Sequence, residues 1–155
     1  MTDEAPFPNR GRLAGIDFGT VRIGVAICDP DRILASPFAT YARQKESADA
    51  EYFRLLVREE RLVGWVVGLP VHMSGDESAK SREARTFGAW LAATTGLPVC
   101  FQDERYSTDD ANRALAEGGL KRRKAKARRD QLAAQAILAR FLEAGGPKLA
   151  MPFDD

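Results

Sequence analysis

The 155-residue chain is poor in thiols and in long apolar runs. Its two cysteines, Cys28 and Cys100, are too few for a disulfide framework. Both lie in apolar, strand-like stretches and are expected to be buried thiols. No apolar run is long enough for a bilayer-spanning helix. The opening "MTDEAPFPNR" is polar with two prolines, so it matches neither a secretory signal nor an amphipathic transit helix. The expectation is a cytoplasmic protein with no membrane partner. Internal repeats are absent, and the only low-complexity tract is one basic run.

The composition is otherwise that of a globular domain, 45% hydrophobic and 29% charged. One domain over residues 11–146 is expected, with tails at 1–10 and 147–155. The net charge of +1 conceals an asymmetry. "KRRKAKARR", residues 121–129, carries seven of the 23 basic residues, leaving 16 against 22 acidic ones elsewhere. A concentrated positive field of this kind suits a phosphate backbone, although a solvated linker has the same composition.

Hydrophobic periodicity predicts the order β-β-β-α-β-α-β-α-α. Residues 12–18 and 22–28 read as a hairpin, and "RILASPF" after the turn residues "DPD" as a third strand. Asp29 and Asp31 belong to that turn. A helix spans 47–60, and "RLVGWVVGLP" is a strand buried on both faces. A second helix is stopped by Gly96, and "LPVCFQDE" is the last strand. A third helix starts at "STDD" and stops at Gly118-Gly119. The basic run follows as a flexible loop, and a final helix opens at Asp130. The fold class is therefore α/β: an antiparallel three-strand meander plus parallel strands in one mixed sheet, with flanking helices.

In such sheets ligands collect at the carboxyl ends of strands. Asp17 ends the first strand, Asp103 and Glu104 end the last, and Asp130 opens the final helix. Acids gathered at one edge require protons or cations to neutralise them. All-oxygen ligation suits Mg²⁺ or Mn²⁺. Each acid has a simpler reading: Asp17 as a turn acid, Asp130 as a helix cap. Strand alternation lets only one of Asp103 and Glu104 face the site, and periodicity does not choose between them.

Four blocks in order, "GIDFGTVRIGVA", "VVGLPVHMSG", "DERYST" and "RRDQLAAQAIL", resemble the motifs of the YqgF/RuvX family. That family is ribonuclease-H-like and is described both as Holliday junction resolvases and as nucleases maturing the 5′ end of pre-16S rRNA. The resemblance implies a ribonuclease-H-like fold and a nuclease. Its catalytic, metal-holding acids match Asp17, Glu104 and Asp130, which selects Glu104 over Asp103. Two positions depart from the pattern: Val21 stands where a lysine is usual, and Tyr106 where a leucine is usual.

The chemistry expected of this site is hydrolysis of a phosphodiester by a water activated at a carboxylate-bound Mg²⁺ or Mn²⁺. No histidine is needed, and His72, the only one, is read as a surface or substrate-edge residue. Arg22 and Arg105 are candidate phosphate forks, and Arg105 is equally a structural partner for Glu104. Beside Asp130 the basic run reads as a nucleic-acid contact through Lys121, Arg122, Arg123, Lys124, Lys126, Arg128 and Arg129. It has no interleaved aromatics, so base stacking is not expected there. The resemblance favours precursor rRNA, with ribosomal precursor particles as partners, over branched DNA. The competing readings are a junction resolvase, a non-catalytic RNA-binding assembly factor, and an actin/Hsp70-like nucleotide-binding domain suggested by "GIDFGT".

Overall fold

The computed structural model describes residues 7–70, 78–104 and 122–145. Among the described residues five strands form one sheet: β1 (Arg12–Asp17), β2 (Arg22–Cys28), β3 (Ala35–Ala42), β4 (Leu62–Leu69) and β5 (Val99–Asp103). Three helices are described: α1 (Glu46–Glu60), α2 (Ala79–Thr95) and α3 (Arg122–Glu143). Strand order is β3-β2-β1-β4-β5. β1–β2 and β2–β3 are antiparallel, and β1–β4 and β4–β5 are parallel. The mixed sheet expected from the sequence is thus present. The helix expected at 107–117, Arg105, Lys121 and His72 lie outside the described residues.

Strand alternation divides the core between the two faces of the sheet. Ile16, Ile23, Val25, Trp65 and Val67 pack with Phe53 and Leu56 of α1 and with Phe87 and Leu91 of α2. Leu13, Ala26, Cys28 and Val66 pack with Ala134, Ile137, Leu138 and Phe141 of α3. Phe7, in the segment expected to be an N-terminal tail, meets Phe141 edge-on at 5.6 Å. Both cysteines are free thiols, with Cys28 buried. Among the described residues no helix is long and apolar enough to cross a membrane.

Two local expectations are corrected. β3 begins at Ala35 and not at Arg32, because Asp29 prolongs the turn: its carboxylate accepts from the backbone N–H groups of Asp31, Ile33 and Leu34. Arg32 takes the left-handed region there, with φ 60. The second correction bears on the site. Arg122–Arg129 is not a flexible loop before a helix that opens at Asp130, but the first two turns of α3 itself. Lys, Arg and Ala are good helix formers, and no Gly or Pro interrupts the run. Asp130 therefore lies inside the helix, where the N-terminal macrodipole does not act on it. The Thr40 hydroxyl donates to the Ala127 carbonyl at 2.6 Å, fastening this basic stretch to edge strand β3.

Candidate metal and nucleic-acid site

β1 delivers Leu13, Gly15 and Asp17 to the α3 face, and the antiparallel register sets Asp17 opposite Gly24. α3 crosses close above this pair. A β-carbon at Gly15 would approach the Ala134 carbonyl oxygen to 2.8 Å, and one at Gly24 would run into the Asp130 carbonyl. Glycine at these two positions lets the helix backbone come down onto the strands. Gly15 and Gly24 thus serve a close helix approach, and that approach carries Asp130 to Asp17.

Glu104 arrives from the far side of the sheet. Its N–H donates to the Leu69 carbonyl at 3.1 Å, just past the end of β5. By alternation it shares the α3 face with Cys100 and Gln102, whereas Asp103 is on the other. Glu104 is 5% exposed and Asp130 9%. Asp17, Glu104 and Asp130 line one cavity of about 530 Å³, together with Arg22, Lys80 and Arg129.

Asp17 responds to this setting. Its pKa is pushed up from 3.8 to about 7, first by burial and then by the negative charge of Asp130. Arg129, Lys80 and Arg22 oppose the shift. Arg22 Nε donates to Asp130 Oδ2 at 2.7 Å, so this arginine is committed to an acid of the cleft. The donor set is all oxygen, which fits a hard dication. The three acids share the cavity without closing on a point: among the described residues no three His, Cys, Asp or Glu side chains form a group that could hold an ion.

The predicted basic residues divide. Arg129 lines the cleft, while Lys124, Lys126 and Arg128 are exposed on the first turns of α3. Arg122 and Arg123 belong to the helix backbone, and their side chains lie outside the described residues. Lys80 is a cleft residue that the sequence reading misses. Ser78 caps α2 with a capping box completed by Ser81, and its hydroxyl donates to the Pro70 carbonyl at 2.7 Å. The first turn of α2 is thereby tied to the carboxyl end of β4, and Lys80 with it. The "GLP" end of β4 is the available signal, because a helix that starts there opens beside the strand ends.

A sheet of this order, with acids at the ends of β1 and β5 and on the helix that covers them, defines a ribonuclease-H-like α/β domain. The chain belongs to the RuvX family, described as Holliday junction resolvase, whose profile matches residues 11–144. A relative from Rhodopirellula baltica named "Putative pre-16S rRNA nuclease" is 54% identical over 143 residues, covering 92% of this chain and 83% of its own. A relative of the same name from Sphingopyxis alaskensis is 44% identical over 140 residues, covering 90% and 91%. The fold is shared with the Fowlpox virus resolvase solved with Holliday junction DNA, at a TM-score of 0.54 and 7% identity over 86% of this chain and 97% of that one.

Proposed function

We propose that this protein is a metal-dependent nuclease that cuts phosphodiester bonds in RNA, with the 5′-extended precursor of 16S rRNA as its substrate. The observation that carries the reading is that Asp17, Glu104 and Asp130 line one cationic-rimmed cavity. The names of the relatives at 54% and 44% identity support the choice of substrate. Asp17, Glu104 and Asp130 would hold Mg²⁺ or Mn²⁺ once drawn closer together than they stand in this structure. Such an ion lowers the pKa of a bound water and stabilises charge on the scissile phosphate.

The chain's own residues prepare that chemistry. Asp17 gives up its proton to become a donor, and Lys80 and Arg129 favour the ionised form. Arg22 fixes the Asp130 carboxylate. Lys124 and Arg128, one turn apart, form a positive track along the first turns of α3, fitted to a phosphate backbone, and Lys126 adds charge from the opposite side of the helix. Arg105, Lys121, Arg122 and Arg123 are assigned to the same contact. The working location is the cytoplasm, on free precursor rRNA or on ribosomal precursor particles.

The test is cleavage of single-stranded RNA carrying the 16S 5′ extension, duplex RNA, an RNA–DNA hybrid and a four-way DNA junction, each with Mg²⁺ and with Mn²⁺. Cutting of the RNA substrates is expected. Cutting of the DNA junction alone would replace this reading with junction resolution.

A further inference from the structure

A second cavity, of about 650 Å³, lies beside the acidic cleft. No step proposed above uses it. Phe18, Thr20 and Glu83 line both spaces, so the two share a wall that includes the residue following Asp17. Its wall combines rings with planar cations. The Arg43 guanidinium carbon lies 5.4 Å from the Phe18 ring centroid and 5.7 Å from that of Phe87. That cation is held in place by a buried acid. Arg43 Nε donates to Asp49 at 3.3 Å, and Asp49, 1% exposed, also accepts from the Tyr41 hydroxyl at 2.7 Å and the Gln44 N–H at 2.9 Å. Trp90, half-buried, leans on Phe87 at 5.5 Å and donates its indole N–H to Glu46 at 3.2 Å.

The charges on the wall decide between possible guests. Glu46, Asp49 and Glu83 stand against Arg43 and Arg82. Three acids against two arginines disfavour a phosphate. They suit an uncharged group with N–H donors and a flat π-face. The volume lies in the range of small-molecule sites, about 300–1,000 Å³. Nucleobases stack on aromatic rings and on guanidinium planes, and their exocyclic amines donate to carboxylates.

We propose that this cavity receives an unpaired nucleobase of the bound strand, stacked against Arg43 and the rings of Phe18 and Trp90, beside the phosphate held at the acidic cleft. The identity of the strand rests on the nuclease reading above; the base-binding role rests on the wall of the cavity. The site gives the protein a preference for an unpaired nucleotide at the cut, which the positive track along α3 does not supply.

The test uses the wild-type protein and a short single-stranded RNA in which one base at a time is removed, leaving the sugar–phosphate chain intact. Binding in EDTA is read from tryptophan emission. Trp65 is fully buried, so Trp90 is the tryptophan able to report on a guest. The intact strand should quench Trp90. Removing the base at one or two adjacent positions should weaken binding about ten-fold and abolish the quenching, and removal elsewhere should do neither. With Mg²⁺ the sensitive positions should border the cleaved bond. Arg43→Lys, which keeps the charge beside Asp49 and loses the plane, should weaken the intact strand and leave the abasic one unchanged. The inference is overturned if every abasic strand binds and quenches like the intact one, or if Arg43→Lys weakens both equally. Base-dependent quenching with no cleavage under Mg²⁺ or Mn²⁺ would overturn the nuclease reading and leave the base site standing.

Discussion

Arg22 Nε stands 2.7 Å from Asp130 Oδ2, joining β2 to α3 across 108 residues of sequence. Asp130 is mostly buried and Arg22 half-buried, so the pair is shielded from solvent more than a surface bridge is. Arg22→Met leaves the carboxylate without this partner. The metal-free protein should lose about 1–3 kcal/mol. A double-mutant cycle with Asp130→Asn in EDTA checks it: the loss should shrink by more than half once the carboxylate is gone.

Gly24 tests the same approach of helix to strand from the backbone. A β-carbon there collides with the Asp130 carbonyl, which cannot yield without moving α3. Gly24→Ala should cost about 1–3 kcal/mol by overpacking. It should also abolish cleavage, although every carboxylate is still present. Urea denaturation and a cleavage assay on the same preparation check both outcomes.

The glycines show what the sequence can and cannot disclose. The "GIDFGTVRIG" run exposes a strand pair with a carboxylate among glycines, and the hairpin and parallel strands follow from periodicity. Its glycines alone do not say what comes close; α3 does, and that approach is tertiary. The basic run reads as a loop because its charge masks its helix propensity, which puts Asp130 at a helix start instead of in the third turn. Glu104 over Asp103 rests on family resemblance in the sequence, and parity with Cys100 and Gln102 gives the same orientation in the structure. Lys80 has a local signal in the "GLP" end of β4, but the cavity around Arg43 depends on how α2 leans on β4 and α1, which no local pattern encodes.

Asp17 should make the metal-free protein pH-sensitive. Its pKa is near the ordinary 3.8 when unfolded and about 7 when folded. The folded state therefore binds more protons between these values, and stability falls as pH rises through that window. Above about pH 7 the penalty is complete, on the order of a few kcal/mol at about 1.4 kcal/mol per unit. Asp17→Asn should melt higher than wild type in EDTA at pH 8, and the gap should close toward pH 4. Melts in EDTA across this range check it, and Mg²⁺ should raise the wild-type Tm more than the mutant's.

Lys124, Lys126 and Arg128 are exposed on a helix that alanine prolongs well. Replacing all three with Ala should leave the melting temperature within a few degrees. It should reduce the slope of log Kd against log salt by about 0.7–0.9 for each phosphate that the side chains no longer neutralise. Fluorescence anisotropy of labelled RNA from low to high salt measures this. An unchanged slope would make the turns a solvated helix end.

The most direct measurement is cleavage of 16S precursor RNA by Asp17→Asn, Glu104→Gln and Asp130→Asn, beside the wild type, with Mg²⁺ and with EDTA. If the three carboxylates act together on a bound cation, the wild type cuts only with the metal. Each substitution should then lower the rate by about two orders of magnitude or more, the loss seen when one preorganised electrostatic group is removed. Undiminished cleavage by any of the three, or full wild-type activity in EDTA, would contradict the account.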